Sequence, residues 1–220
     1  APRLGGRIGP QPIEFAARRQ KARSAVTSPI TTPASIRSSS VRGSRRRQRS
    51  SAASTVSHAV YPVPHHRKSA LLVEIIREHP EGTVLVFTRT KHGADRAVRK
   101  LEAAGISAAA MHADKTQPQR MRALEDFRSG RARILVATDI AQRGLDISHI
   151  THVVNYDVPQ QPEDYVHRIG RTGRAAKEGD ALTFMAPDEI AMVRTIERVI
   201  GRPIPRVSVP GYDFGTVAAD

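Results

Sequence analysis

Three arginines and a histidine fall within eight residues, His167 to Arg174, in the string HRIGRTGR. Arginine is a permanently charged, planar donor whose fork matches phosphate oxygens. Arg168, Arg171 and Arg174 recur at a spacing of three, so near a helix end they would project along one side, while Gly170 and Gly173 keep the backbone compact. A lone arginine would most simply pair with an acid on a solvated turn. Three of them with a histidine, placed after a parallel strand, point to a phosphate site.

Three further strings could share that chemistry. In VATDIAQRGLDI, Val136 to Ile147, a strand ends at Thr138, and Asp139, Arg143, Gly144 and Asp146 lie beyond it. Hydroxyl, carboxylate and glycine backbone groups there could receive a nucleotide or a nucleic-acid strand; Asp139 could equally cap the following turn. In QPQR, Gln117 and Arg120 open a helix, and a helix N-terminus with amide and guanidinium donors suits a phosphate. In VFTRT, Val86 to Thr90, Thr88 and Arg89 end a strand, and Phe87 reads as core rather than as a platform for bases.

The elements that must carry these strings alternate. Leu71, Leu72, Ile75 and Ile76 at helical spacing predict a helix over Arg67–His79, stopped by Pro80 and Gly82. Strands are predicted over Thr83–Thr88, Ile106–Met111, Ile134–Thr138, Ile150–Tyr156 and Ala181–Ala186. Helices are predicted over Lys91–Ala104, Gln117–Arg128 (with Met121, Leu124 and Phe127 facing inward), Glu163–Ile169 and Asp188–Ile200. Short β-branched runs separated by helices argue βαβ units in an α/β fold with a doubly wound parallel sheet. Ligands on such sheets sit at the carboxyl ends of the strands, where the four strings fall.

Composition divides the 220 residues. Residues 1–58 carry 12 Lys and Arg against the single acid Glu14, whereas the remainder carries 23 against 20. The first segment is rich in Ser, Pro and Arg, shows no period of 2 or 3.6, and has Phe15 as its one aromatic residue. Such a chain cannot bury enough apolar area to offset its entropy, so residues 1–56 are expected to form a disordered basic arm, followed by a domain over 57–206 and a tail over 207–220. The cluster Arg45, Arg46, Arg47 and Arg49 could neutralise nucleic-acid phosphates. With 29 Arg against 6 Lys, the arm also reads as the product of a GC-rich genome or as out-of-frame translation. No Cys is present, which removes disulfides, zinc ribbons and thiol nucleophiles and fits a reducing cytoplasm. No apolar run approaches ~18 residues, so no membrane partner is expected.

Together and in this order the strings resemble the second RecA-like lobe of the DEAD-box RNA helicases, over Ser57 to Arg206, with an RhlE-like branch the best match. HRIGRTGR corresponds to that family's motif VI, VATDIAQRGLDI to motif V, QPQR to its QxxR motif and VFTRT to motif IV; Ala113 in HADKT stands where the family usually has Gly. The resemblance implies a RecA-like fold, with Arg171 and Arg174 as arginine fingers on the γ-phosphate of ATP-Mg2+ held by a first lobe, in cis or in trans. It implies that His167 and Arg168 couple that site to the acidic motif across the cleft, and that Gly144 and Asp146 approach the ribose. Thr88, Arg89, Gln117, Arg120, Thr138, Asp139 and Arg143 would grip an RNA backbone with little sequence preference. The phosphate loop, acidic motif and S-A-T of a first lobe are absent from the 220 residues, and no Gly-Lys pair occurs. Alone, the chain is therefore expected not to hydrolyse ATP. It reads as a helicase lobe, a truncated gene product or a stand-alone RNA-binding module.

Overall fold

The β-branched runs take the extended form their crowded Cβ atoms favour. A computed structural model of the chain describes residues 56–139, 150–173 and 179–207; the basic arm, Arg143, Gly144, Asp146, Arg174 and the tail after Val207 lie outside them. In chain order the elements are β1 (Val56–Pro62), α1 (Lys68–Glu78), β2 (Val84–Phe87), α2 (Lys91–Ala103), β3 (Ala108–Met111), α3 (Gln117–Arg128), β4 (Ile134–Ala137), β5 (His152–Asn155), α4 (Pro162–Ile169), β6 (Gly179–Met185) and α5 (Ile190–Ile200). Among the described residues they form one six-stranded sheet in the order β1-β6-β5-β2-β4-β3, with every pairing parallel.

All four residues of β2 and all four of β4 are buried, as expected of strands covered on both faces. One cluster gathers Leu85, Phe87, Leu135, Ala137 and Val153 with Phe127 of α3. A second joins Val60, Ala181 and Met185 to Tyr165 and Ile169 of α4 and Val193 and Ile196 of α5. The chain leaves β2 for the edge strand β3, returns through β4, and then crosses to β5 on the other side of β2. That reversal opens a crevice at the carboxyl ends of β4, β2 and β5.

Three differences from the sequence reading have local causes. Val56–Pro62, left unassigned there, is a strand because β6 offers it a full parallel partner from Val56↔Gly179 to Pro62↔Met185. Met121 does not face inward but is 54% exposed; Ala123 and Phe127 carry the buried side of α3. The segment before α5 is a 3-10 turn, Pro187–Glu189, which the proline nucleates and Glu189 closes by accepting the Ala186 N–H at 3.0 Å.

Arg133 fixes the end of α1. Its Nη1 donates to the carbonyls of His79 (2.6 Å) and Gly82 (3.1 Å) and its Nη2 to that of Ile76 (3.3 Å), filling acceptors that a helix C-terminus leaves open. On the same helix, burial and then the neighbouring Glu74 carboxyl push Glu78 from its ordinary value of 4.5 up to about 7. The folded chain therefore holds a proton that the unfolded chain has released between those values, so Glu78 makes stability fall as pH rises through that window. Glu78→Gln should flatten the decline in melting temperature between about pH 5 and pH 7 and raise it above that range. Calorimetric scans of both chains check this; an unchanged slope would show that the Glu78 carboxyl titrates as an exposed one.

Candidate nucleotide and nucleic-acid cleft

The crevice is an open cleft of about 600 Å3 lined by Arg89, Thr138, Asp139, Val158, Gln160, Gln161, Asp164, His167, Arg168 and Arg171. The register of β2, β4 and β5 aligns Phe87 with Ala137 and with Asn155, so Thr88, Thr138 and Tyr156 leave the sheet at one level. Helix α4 enters beside them with Pro162 in its first turn, a position where the missing N–H is not needed.

Arg168 turns inward. It is 1% exposed, and its Nε and Nη2 donate to Asp139 Oδ1 and Oδ2 at 2.7 and 2.6 Å. Nη1 donates to Asn155 Oδ1 at 3.1 Å and to the Asp157 carbonyl at 2.8 Å, and the guanidinium lies 5.1 Å from the Phe87 ring centroid. Asn155 is held in turn by donating to Thr183 Oγ1 at 3.1 Å. Arg168 thus spends its charge inside this domain instead of sharing one exposed side with Arg171. Its role is to position α4. Asp139 gives both carboxylate oxygens to Arg168; the turn it could cap lies outside the described residues.

Arg171 is half-buried and His167 exposed, and both line the cleft. The turn that carries Arg171 is fastened on its far side. The Thr172 hydroxyl donates to the carbonyls of Ile150 (2.8 Å) and Thr151 (3.0 Å), and Gly173 takes a φ of 70°, where a side chain would be strained. A Cβ on Gly179 would overlap Thr172 Oγ1 and the Gly173 nitrogen, so that glycine is required by close approach.

The remaining sequence-predicted groups divide. Thr88 is buried, and its hydroxyl donates to the Thr90 carbonyl at 3.2 Å, so it offers no side chain to a ligand. Arg89 reaches the cleft mouth at 42% exposure. In the QPQR string, Gln119 closes a capping box with Thr116, its Oε1 accepting the Thr116 N–H at 2.9 Å, while Arg120 Nη1 donates to Gln117 Oε1 at 3.4 Å. Gln117 and Arg120 are thus paired on α3 but lie outside the cleft lining.

Residues that the sequence reading passed over support the cleft from behind its lining. Lys68, Asp157 and Glu189 form buried or half-buried ion pairs behind Arg89. Their signal was present: Lys68 precedes Leu71, Leu72 and Ile75 in one helical stripe, and Glu189 precedes Val193 and Ile196 in another. A charge in an apolar stripe must be buried with a partner. Among the described residues no group of three or more His, Asp or Glu could hold a metal ion, and no helix is long and apolar enough to cross a membrane.

Comparison with known proteins agrees with this geometry. The family model described as the helicase conserved C-terminal domain matches residues 67–176. The chain belongs to that family. It is 46% identical over 151 residues to the DEAD-box ATP-dependent RNA helicase CshA of Bacillus subtilis, covering 69% of this chain and 31% of that protein. The helicase C-terminal domain thus spans about a third of the length of the curated relatives it matches. Among solved structures it resembles Escherichia coli SrmB, bound there to the regulator of ribonuclease activity A, with a TM-score of 0.69, 32% identity, and 75% of this chain and 98% of that one covered. It also resembles the C-terminal domain of the DEAD-box protein Dbp5 (TM-score 0.66, 30% identity, 70% and 91% covered). Saccharomyces cerevisiae Dbp5 bound to RNA and ADP BeF3 is similar at 27% identity and a TM-score of 0.67, over 91% of this chain and 51% of that one. The doubly wound sheet is therefore the RecA-like fold of DEAD-box C-terminal domains, and the named relatives do not bear on the RhlE-like branch.

The Arg168–Asp139 pair should dominate the stability of the cleft. Truncating one partner of a buried pair costs about 3–5 kcal/mol, but Asp139 is 34% exposed and water will screen part of that. Arg168→Ala is expected to lower unfolding free energy by about 2–3 kcal/mol in urea titrations, and Arg171→Ala by less than about 1 kcal/mol. Equal midpoints for the two variants would show that the pair does not hold α4.

Proposed function

We propose that this domain is the C-terminal lobe of an ATP-dependent RNA helicase, working in the cytoplasm against an N-terminal RecA-like lobe supplied in cis or in trans. The observation that carries the reading is the division of labour between α4 and the turn that follows it. Arg168 is consumed by Asp139, and Arg171, one turn on, is fixed at the open cleft by that pair and by Thr172. A cation so placed, outside any acidic metal cage among the described residues, suits charge that arrives from a facing surface. Arg171 and Arg174 are then the arginine fingers on the γ-phosphate, His167 contacts the facing lobe, and Gly144 and Asp146 approach the ribose.

ATP and Mg2+ would be held mainly by the other lobe, and when bound ATP supplies the phosphoryl group that is hydrolysed. This chain positions cations against the charge that develops in transfer. Arg89, Gln117, Arg120, Thr138 and Arg143 grip the RNA backbone, with Asp139 and Thr88 acting through the positions of Arg168 and Arg89 rather than by their own contacts. The Dbp5 complex with RNA and ADP BeF3 supports both ligands for this fold.

The test is a chimera. The isolated chain should show no RNA-stimulated ATP hydrolysis, whereas its domain joined to the N-terminal lobe of CshA should. In the chimera Arg171→Ala and Arg174→Ala should each depress turnover by roughly 10³-fold or more, as for arginine fingers elsewhere, with unchanged circular dichroism. Turnover that survives the double substitution would overturn the finger assignment. Robust hydrolysis by the isolated chain would overturn the two-lobe reading.

A further inference from the structure

Glu189 is buried, at 4% exposure, and each of its carboxylate oxygens takes two donors. Oε2 accepts from Lys68 Nζ at 2.8 Å and from the Ala186 N–H at 3.0 Å; Oε1 accepts from Arg89 Nη2 at 2.9 Å and from the Val158 N–H at 3.3 Å. Those donors come from the start of α1 and from the segments that follow β2, β5 and β6. One carboxylate therefore ties together four chain segments at the carboxyl edge of the sheet.

The arrangement is asymmetric in a useful way. Lys68 is 1% exposed, has Glu189 as its near partner and Asp157 Oδ1 at 3.4 Å, and sits 5.9 Å from the Tyr156 ring centroid. It neutralises Glu189 from behind. Arg89 approaches the same carboxylate from the solvent side and lines the cleft. Its backbone N–H is held by Asp157 Oδ2 at 2.8 Å, and its guanidinium is held through Nη2 alone, by Glu189 and by the Val158 carbonyl at 3.4 Å. Nε and Nη1 have no partner among the described residues. A guanidinium clamped at one nitrogen, with its other donors open at a cleft mouth, is pre-organised for an incoming anion.

We infer that Glu189, backed by Lys68, is a positioning residue that orients Arg89 for an RNA phosphate. The inference rests on the RNA reading above and adds residues that reading does not use. The sign of its effect separates it from simpler explanations. Removing a negative charge near a polyanion site should by itself strengthen binding. A purely structural carboxylate should alter stability and leave affinity alone. Orientation of Arg89 requires the opposite: losing the carboxylate weakens binding.

The experiment uses the full chain, a fluorescent single-stranded RNA oligonucleotide and a salt series read by anisotropy. Arg89→Ala should weaken binding about 5–10-fold and lower the salt slope by about one phosphate contact. Glu189→Gln should weaken it about 3–10-fold, and in the Arg89→Ala background it should have no further effect. Arg89→Lys keeps the charge at an exposed position but cannot be clamped by one nitrogen while presenting two others; it should lose as much as Arg89→Ala, and it serves if Glu189→Gln does not fold. In the free chain, the Arg89 Nε–Hε resonance, assigned by its loss in Arg89→Lys, should shift to that of a free side chain in Glu189→Gln. Stronger or unchanged RNA binding by Glu189→Gln, additive losses in the double variant, or wild-type binding by Arg89→Lys would each overturn the proposal. A resonance unmoved by Glu189→Gln would overturn the positioning alone. RNA affinity indifferent to Arg89→Ala would overturn the RNA reading, and the proposal with it.

Discussion

An ionised guanidinium withdrawn from water is tolerable only where fixed acceptors replace its hydration, and Arg168 meets that condition with four N–H bonds and an aromatic face. The acceptors belong to the ends of β4 and β5, so α4 cannot rotate or slide without stranding a buried charge. Arg171 inherits this rigidity one turn further on, and Thr172 and Gly179 close the turn from the opposite side. The exposed chemistry of the cleft is only as ordered as the buried pair beneath it. A cationic group held this way would lose little entropy on meeting an anion.

The sheet decides where such pairs can form. Reversal of the strand order around β2 opens a crevice at the carboxyl ends of three adjacent strands. In-register pairing of Phe87 with Ala137 and Asn155 then brings Thr88, Thr138 and Tyr156 out at one height, and the polar residues that follow them meet. Residues far apart in sequence, Arg89 and Glu189 or Asp139 and Arg168, become neighbours through this topology alone.

Much of the fold was legible because its signals are local. Leu71, Leu72, Ile75 and Ile76 announce α1 by spacing, and the buried runs of β2 and β4 announce a sheet covered on both faces. β1 was not legible: VSHAVYP mixes polar and apolar residues, and only its pairing with β6 makes it a strand. Met121 misled for a related reason, since an apolar residue on a short helix says nothing about which face the sheet will cover. In the cleft, the motif strings supply six of the lining residues, Arg89, Thr138, Asp139, His167, Arg168 and Arg171. The role of Arg168 did not follow, because a periodic row of arginines looks the same whether one of them is folded inward or all face outward. The pairing of a buried charge is a tertiary fact; its necessity, however, was written in the apolar stripes that Lys68 and Glu189 interrupt.

The division of charge explains why net charge is a poor guide to this surface. Outside the basic arm the chain is nearly balanced, with 23 basic against 20 acidic residues. Part of the balance is spatially sorted: Asp157 and Glu189 lie behind Arg89 and face Lys68, and Asp139 in the cleft wall is engaged by Arg168, while Arg171 and the open donors of Arg89 line the cleft. Acids placed behind cations hold them without occupying the nitrogens a ligand would use. Placed in front, the same acids would compete with phosphate and cancel the field. A nearly neutral domain can therefore present cationic groups in one cleft, by their spacing and orientation rather than through the strength of a diffuse positive potential.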